Sequence, residues 1–275
     1  MRSKYADFLS EDIGSGDVTT DLLVPKDSHA VGRIMAKEIC VLAGAREAAE
    51  VFSELGAASE RPVDEGTVVA EGDVVLIVRG STKALLTGER LALNFLMRMS
   101  GIATVTNDLL ARCRKANPAV RIAATRKTTP GFREFEKRAV MIGGGDPHRF
   151  GLDDAILIKD NHIAVAGGVR EALRNAKRAS FTKKVEIEVE TEDDAVAAVE
   201  EGADIVMLDN FDPEEARNVA EGLRRRRPDI LIEVSGGITP DNVERYAAFA
   251  DIISLGWLTH SVRSADFSMT IELEQ

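Results

Sequence analysis

Six short runs of β-branched and small apolar residues fill the second half of the chain, and each ends in residues able to do chemistry. Arg121–Thr125 leads into Arg126-Lys127-Thr128-Thr129, and Ala155–Lys159 into Asp160-Asn161-His162. Val185–Glu190 carries Glu186, Glu188 and Glu190 at one parity, so the three share one side of a strand. Asp204–Leu208 ends in Asp209-Asn210, Ile230–Val234 in Ser235-Gly236-Gly237, and Asp251–Leu255 in Gly256. Any one of these is ordinary, since Asp-Asn makes turns and a strand-end lysine is commonly solvated. Six alike point to one shared site. From residue 121 to 149, seven basic residues stand against three acidic ones, inside a chain of net charge −11. Arg126, Lys127, His148 and Arg149 therefore suit a substrate with several negative groups, because guanidinium forks match carboxylate and phosphate. Ser235-Gly236-Gly237 and Gly256, on the last two runs, suit a phosphate held by bare N–H donors. Gly143-Gly144-Gly145 offers a second such loop. Glu188 and Asp209 suit hydroxyl binding, stabilisation of developing positive charge, or Mg²⁺ held largely through a phosphorylated substrate.

These residues need a scaffold that brings strand ends together. Helical segments at Gly168–Arg178, Glu192–Glu201, Pro213–Arg226 and Pro240–Ala250 alternate with the runs. Asp212-Pro213 and Thr239-Pro240 each pair a capping residue with proline in the first turn. Such βα units predict a parallel sheet buried on both faces. Barrel and open sheet both remain available, and no G-x-G-x-x-G follows an early strand, which disfavours a dinucleotide fold. Before about residue 80 the texture differs. Strands at Ala30–Ala36 and Glu38–Ala43, a helix at Ala45–Leu55 and two runs around Gly72-Asp73 predict a small α+β domain. Two helices follow, Leu85–Met99 and Ile102–Lys115. The Arg224–Arg227 tetrad closes a helix, where cations suit the dipole.

The composition of the 275 residues, 44% hydrophobic and 29% charged, excludes a disordered tail or a rod. Acidic charge and 5% aromatic content argue against nucleic acid. No signal-like run opens the sequence, and none is long enough to span a membrane, so a cytoplasmic protein is expected. Cys40 and Cys113 lie in no paired motif and read as reduced thiols. No two of the four histidines have zinc-ligand spacing.

The stretches EDIGSGDVTT (11–20), GERLALNFLMRMSGIAT (88–104), TRKTTPG (125–131), GGGDPHRFGL (143–152), IKDNHI (158–163), SGGI (235–238) and GWLTHS (256–261) together resemble the quinolinate phosphoribosyltransferase family. The resemblance implies an α/β fold: an N-terminal α/β sandwich domain over residues 1–103, then an incomplete (β/α) barrel of six to seven parallel strands over 104–275. The C-terminal tail is allowed to pack back on the first domain. It implies conversion of quinolinate and phosphoribosyl pyrophosphate to nicotinate mononucleotide, pyrophosphate and CO2, with Mg²⁺, in NAD biosynthesis. Lys127, Lys159, Glu188 and Asp209 match catalytic positions. Arg126, His148 and Arg149 match the quinolinate pocket with Lys127 alongside, Thr125 matches a substrate-binding position, and Ser235, Gly236, Gly237 and Gly256 match the phosphate loops. Arg90 matches an arginine lent across a homodimer. Pro147, Met97 and Trp257 depart from residues common in the family. Rival readings are a nicotinate-type or molybdate-transport-associated enzyme of the same fold, and a non-catalytic sensor of a phosphorylated metabolite.

Overall fold

The computed structural model describes residues 3–179 and 182–274. The described residues form two compact units, one of 3–105 with 262–274 and one within 106–261.

The first unit begins with two helices that no apolar period announces. In α1 (Lys4–Ile13) the Ser3 hydroxyl accepts from the Tyr5 N–H, and Tyr5 and Leu9 are buried. In α2 (Val18–Leu23) the Asp17 carboxylate caps the first turn through the N–H and hydroxyl of Thr20. Then come β1 (His29–Ala36), β2 (Cys40–Val41), α3 (Ala45–Glu54), β3 (Ala58–Glu60), β4 (Val68–Val69) and β5 (Val74–Ser81). The strand expected at 38–43 shrinks to the two residues of β2, paired with β4. Next is α4 (Thr82–Cys113), one helix where two are expected. Ser100-Gly101 does not break it. The Ser100 hydroxyl bonds both the N–H and the carbonyl of Ala43, and a Cβ on Gly101 would sit 2.3 Å from the Arg263 carbonyl. Gly101 thus permits close packing and does not interrupt the helix.

The second unit contains β6 (Arg121–Ala123), α5 (Arg133–Ile142), β7 (Ile156–Ile158), α6 (Asp160–Ala166), α7 (Val169–Lys177), β8 (Val185–Val189) and α8 (Glu192–Glu200). It continues with β9 (Ile205–Asp209), α9 (Pro213–Arg226), β10 (Leu231–Ser235), α10 (Glu244–Ala247), β11 (Ile252–Ser254) and α11 (Trp257–His260). The strands form one parallel sheet in the order β6-β11-β10-β9-β8-β7. Beside β6, a lone parallel bridge joins Ala123 to Asp146. α9 starts as its Asp-Pro pair predicts, with Asp212 accepting from Glu214 and Glu215. Arg224, in its last turn, bonds the Phe249 carbonyl and the Asp251 carboxylate, so this member of the tetrad is structural. The helix expected over 240–250 shortens to α10. The Asn242 side chain accepts from the Thr239 N–H and donates to the Gly237 carbonyl, which favours tight turns over a regular start.

The last strand, β12 (Phe267–Leu273), returns to the first unit and pairs antiparallel with β1, giving the order β12-β1-β5-β3. The second unit therefore stops at Ser261 and does not run to residue 275. No described helix is long and apolar enough to cross a membrane.

Both cysteines are free and buried, and burial pushes each thiol up to about 11. A thiol reagent at neutral pH will leave both unmodified in the folded protein and label both in denaturant. Rapid labelling without denaturant would contradict this packing.

Candidate active site

A cavity of about 410 Å³ opens where the six parallel strands end. Its wall takes Ala124–Lys127 after β6, Leu157 and Lys159 at β7, and Glu188 on β8. Met207 and Asp209 of β9, Glu233 and Ser235 of β10, and Ser254 of β11 continue it, with His148 and Arg149 from the loop after α5. β6 and β7 are the two outer strands of the sheet, yet both line this one hollow. A flat sheet cannot do that, so the sheet curls into an incomplete barrel.

Local bonding explains how each motif presents its side chains. Within TRKTTPG, the Thr125 hydroxyl accepts from the Lys127 N–H at 3.1 Å, and Thr259 donates to the Lys127 carbonyl at 2.7 Å. Fully buried Glu136 accepts from both the N–H and the hydroxyl of Thr129, at 3.0 Å each. Buried Lys137 donates to the Pro147 carbonyl and so braces the turn into His148. Burial, then Arg133, lowers the Lys137 ammonium to about 8. In KDNHI, His162 Nδ1 accepts from the Lys159 N–H at 2.9 Å, fixing the residue before α6. Gly143–Gly145 serves a different end from the one expected. All three N–H groups donate to carbonyls of α5, so they close that helix and leave no anion cradle.

Two guanidinium groups dominate the electrostatics. Arg149 is 8% exposed, and Arg126 Nε is buried with no hydrogen-bond partner. Among the described residues neither makes an ion pair. Burial, then Arg126, lowers the Arg149 guanidinium. Cations held close together without counter-ions are unfavourable unless a ligand supplies the charge. Opposite them, Lys159 pairs with Glu188. Burial, then the neighbouring Glu188, raises the Asp209 carboxyl. Asp209 also accepts from the Asn210 side chain at 2.6 Å. Two carboxylates near each other in a half-buried wall fit a hard cation or sugar hydroxyls.

Beneath them lies a cluster the sequence reading did not assign. His148 Nε2 stands 3.4 Å from Glu186 Oε2 and 3.6 Å from Glu233 Oε2. Burial, then Glu233, pushes the Glu186 carboxyl up to about 7. Burial opposes a charged imidazole at His148, and the two carboxylates outweigh it and raise the ring's proton affinity.

The chain matches the C-terminal domain model of quinolinate phosphoribosyl transferase over residues 102–270 and the N-terminal domain model over 17–100. The chain belongs to the quinolinate phosphoribosyl transferase family. It is 47% identical over 275 residues to a probable nicotinate-nucleotide pyrophosphorylase (carboxylating) of Methanothermobacter thermautotrophicus, covering 98% of this chain and 99% of that protein. It is 42% identical over 240 residues to the human nicotinate-nucleotide pyrophosphorylase (carboxylating), covering 86% and 81%. The solved nicotinate-nucleotide pyrophosphorylase of Francisella tularensis superposes with a TM-score of 0.90 at 35% identity, covering 98% of this chain and 94% of that one. Human nicotinic acid phosphoribosyltransferase shares the fold alone, with a TM-score of 0.64 at 13% identity.

For a quinolinate phosphoribosyl transferase barrel, nine of the residues singled out from sequence line one cavity: Thr125, Arg126, Lys127, His148, Arg149, Lys159, Glu188, Asp209 and Ser235. Gly236 and Gly237 follow Ser235 with φ of +85° and +58°, and a Cβ on Gly236 would meet the Asn210 side chain at 2.3 Å. Glycine is therefore required there. A Cβ on Gly256 would meet Lys127 Cδ at 2.8 Å, which places Gly256 beside the wall. Arg90 is exposed on α4 in the first unit and is not part of the lining. The sequence reading missed Glu233. Glu233 was findable, because it is a lone acid inside the apolar run ILIEV at the parity of Ser235.

Proposed function

We infer that this chain is a quinolinate phosphoribosyltransferase, joining quinolinate to phosphoribosyl pyrophosphate and releasing nicotinate mononucleotide, pyrophosphate and CO2 for NAD biosynthesis. The observation that carries the reading is the pair of buried or half-buried guanidiniums, Arg126 and Arg149, without carboxylate partners in the family's barrel. A pyridine dicarboxylate supplies the two missing charges. Thr125 and exposed Lys127 stand beside them.

With the diacid seated, its ring nitrogen faces the anomeric carbon of the sugar donor. The nitrogen's lone pair forms the new C–N bond as the bond to pyrophosphate breaks. Glu188 and Asp209 stabilise the positive charge that develops on the ribose. Lys159 and Lys127 face the phosphates, and Ser235, Gly236, Gly237 and Gly256 hold the sugar phosphate through hydroxyl and backbone N–H groups. Among the described residues the amides of Gly236 and Gly237 donate to no other backbone group, which leaves them available. The positive charge on the alkylated ring nitrogen then stabilises the electron pair left on the adjacent ring carbon when its carboxylate leaves as CO2, and that carbon takes up a proton from solvent to give nicotinate mononucleotide. The oxygen donors of Glu188 and Asp209 fit Mg²⁺, which when bound with the pyrophosphate would neutralise charge on the leaving group.

The test is turnover. Quinolinate with phosphoribosyl pyrophosphate and Mg²⁺ is expected to give nicotinate mononucleotide and stoichiometric CO2. Use of nicotinate instead of quinolinate would overturn the reading, as would binding of both substrates without product.

The working unit is a homodimer that lends Arg90 across its interface, at work in the cytoplasm. Apolar surface supports the dimer. Val18, Leu22 and Leu23 of α2 are 71–79% exposed, and in the second unit Leu152 and Val165 are 74% and 91% exposed. Such side chains mark surfaces that partners cover. Arg90→Ala will abolish most activity, and random 1:1 mixing with an Arg126→Ala chain will restore about a quarter of the total wild-type activity, since half of the dimers then carry one intact site of two. A mixture no more active than its parents would place Arg90 in its own subunit's site or in none.

A further inference from the structure

The His148 cluster has an arrangement that a lining residue does not need. His148 takes a φ of +52°, rare for a residue other than glycine. Its N–H donates to Asp146 Oδ1 at 2.8 Å, and its Nδ1 accepts from the Arg149 N–H at 2.7 Å. A nitrogen that accepts carries no proton, so the ring proton is on Nε2. Nε2 faces Glu186 Oε2 at 3.4 Å and Glu233 Oε2 at 3.6 Å, an electrostatic contact with two carboxylates that leaves the buried Glu233 Oε2 with no hydrogen-bond partner. The Glu233 side chain is 1% exposed, and its other oxygen accepts from Ser254 at 2.5 Å. Both ring nitrogens are thus engaged within the protein. The same proton placement argues against a metal at these three residues, because a metal would need the Nε2 lone pair.

We propose that Glu186 and Glu233 are positioning residues for the acceptor substrate: they hold the His148 Nε2–H in the barrel floor, and the locked ring fixes the Arg149 backbone and aims its guanidinium at the dicarboxylate. His148 acts on the guanidinium through the Arg149 backbone. The functional half of this proposal rests on the quinolinate reading.

Two measurements test it. In the first, long-range ¹H–¹⁵N correlation of the assigned wild-type protein, free of substrate, reads the His148 tautomer. A proton on Nε2 is expected. A ring whose only proton is on Nδ1 overturns the geometry and needs no variant to do so. In the second, steady-state kinetics compare Glu233→Met and Glu186→Met with Glu233→Gln and Glu186→Gln. The methionine variants are expected to raise the KM for quinolinate about tenfold or more, by the value of a hydrogen bond to a charged group. The kcat and the KM for phosphoribosyl pyrophosphate should move by less than about threefold. Glutamine, which keeps an acceptor oxygen, is expected to recover most of the loss. Ser254→Ala provides a milder version should methionine prevent folding. Equal losses on both substrates, or losses confined to kcat, overturn the positioning role. A wild-type chain that never turns over quinolinate refutes the function, while the tautomer measurement still judges the cluster.

Discussion

Arg126→Ala will raise the KM for quinolinate by about 30- to 3,000-fold, the range for removing one member of a desolvated, hydrogen-bonded charge pair. The size follows from the surroundings. Arg126 has a buried Nε without a hydrogen-bond partner, and it stands close enough to the Arg149 guanidinium to lower it. In the free enzyme, removing it relieves repulsion, so the variant should fold and retain stability. In the complex, one carboxylate of the substrate loses its counter-ion inside a cavity of about 410 Å³ and keeps the full cost of desolvation. Titration calorimetry with quinolinate reads this directly. Unchanged affinity would mean that the diacid sits elsewhere.

Glu188→Gln will lower kcat by about 10²- to 10³-fold, the range for removing one preorganised group that stabilises transition-state charge. Glu188 is held in place by Lys159 from the adjacent strand and is only 13% exposed, so its charge acts across little water. The side chain keeps its shape as glutamine, whereas the negative charge opposite the developing ribose cation is gone. The KM for quinolinate should change little, because the guanidiniums that bind it are untouched. Single-turnover measurement separates this from slow product release. A kcat within about threefold of wild type would remove Glu188 from the reacting centre.

The barrel half was legible because strands buried on both faces are spelled as apolar runs, and the polar residues closing each run had no structural purpose. Glu188 and Asp209 could be named from such positions alone. The first two helices were not legible as helices, since their boundaries depend on side-chain caps at Ser3 and Asp17 and not on a strong apolar stripe. The length of α4 was also hidden. Ser100-Gly101 reads as punctuation in one dimension and is a packing surface in three, against Ala43 and Arg263. The triple glycine misled for a related reason, because closing a helix and cradling an anion both call for the same residue.

Chain order and residue type alone specified the alternation of strands and helices, the concentration of cations after the first barrel strand, and the acids at later strand ends. Those properties are local: periodicity and charge need no partner from far along the chain. Three-dimensional packing was needed to close β6 and β7 around one hollow, to leave Arg126 and Arg149 without ion-pair partners among the described residues, and to bring Glu186 and Glu233 to His148 Nε2. Each of these depends on groups tens of residues apart meeting within a few ångströms, and sheet curvature, which no window of sequence encodes, brings them there.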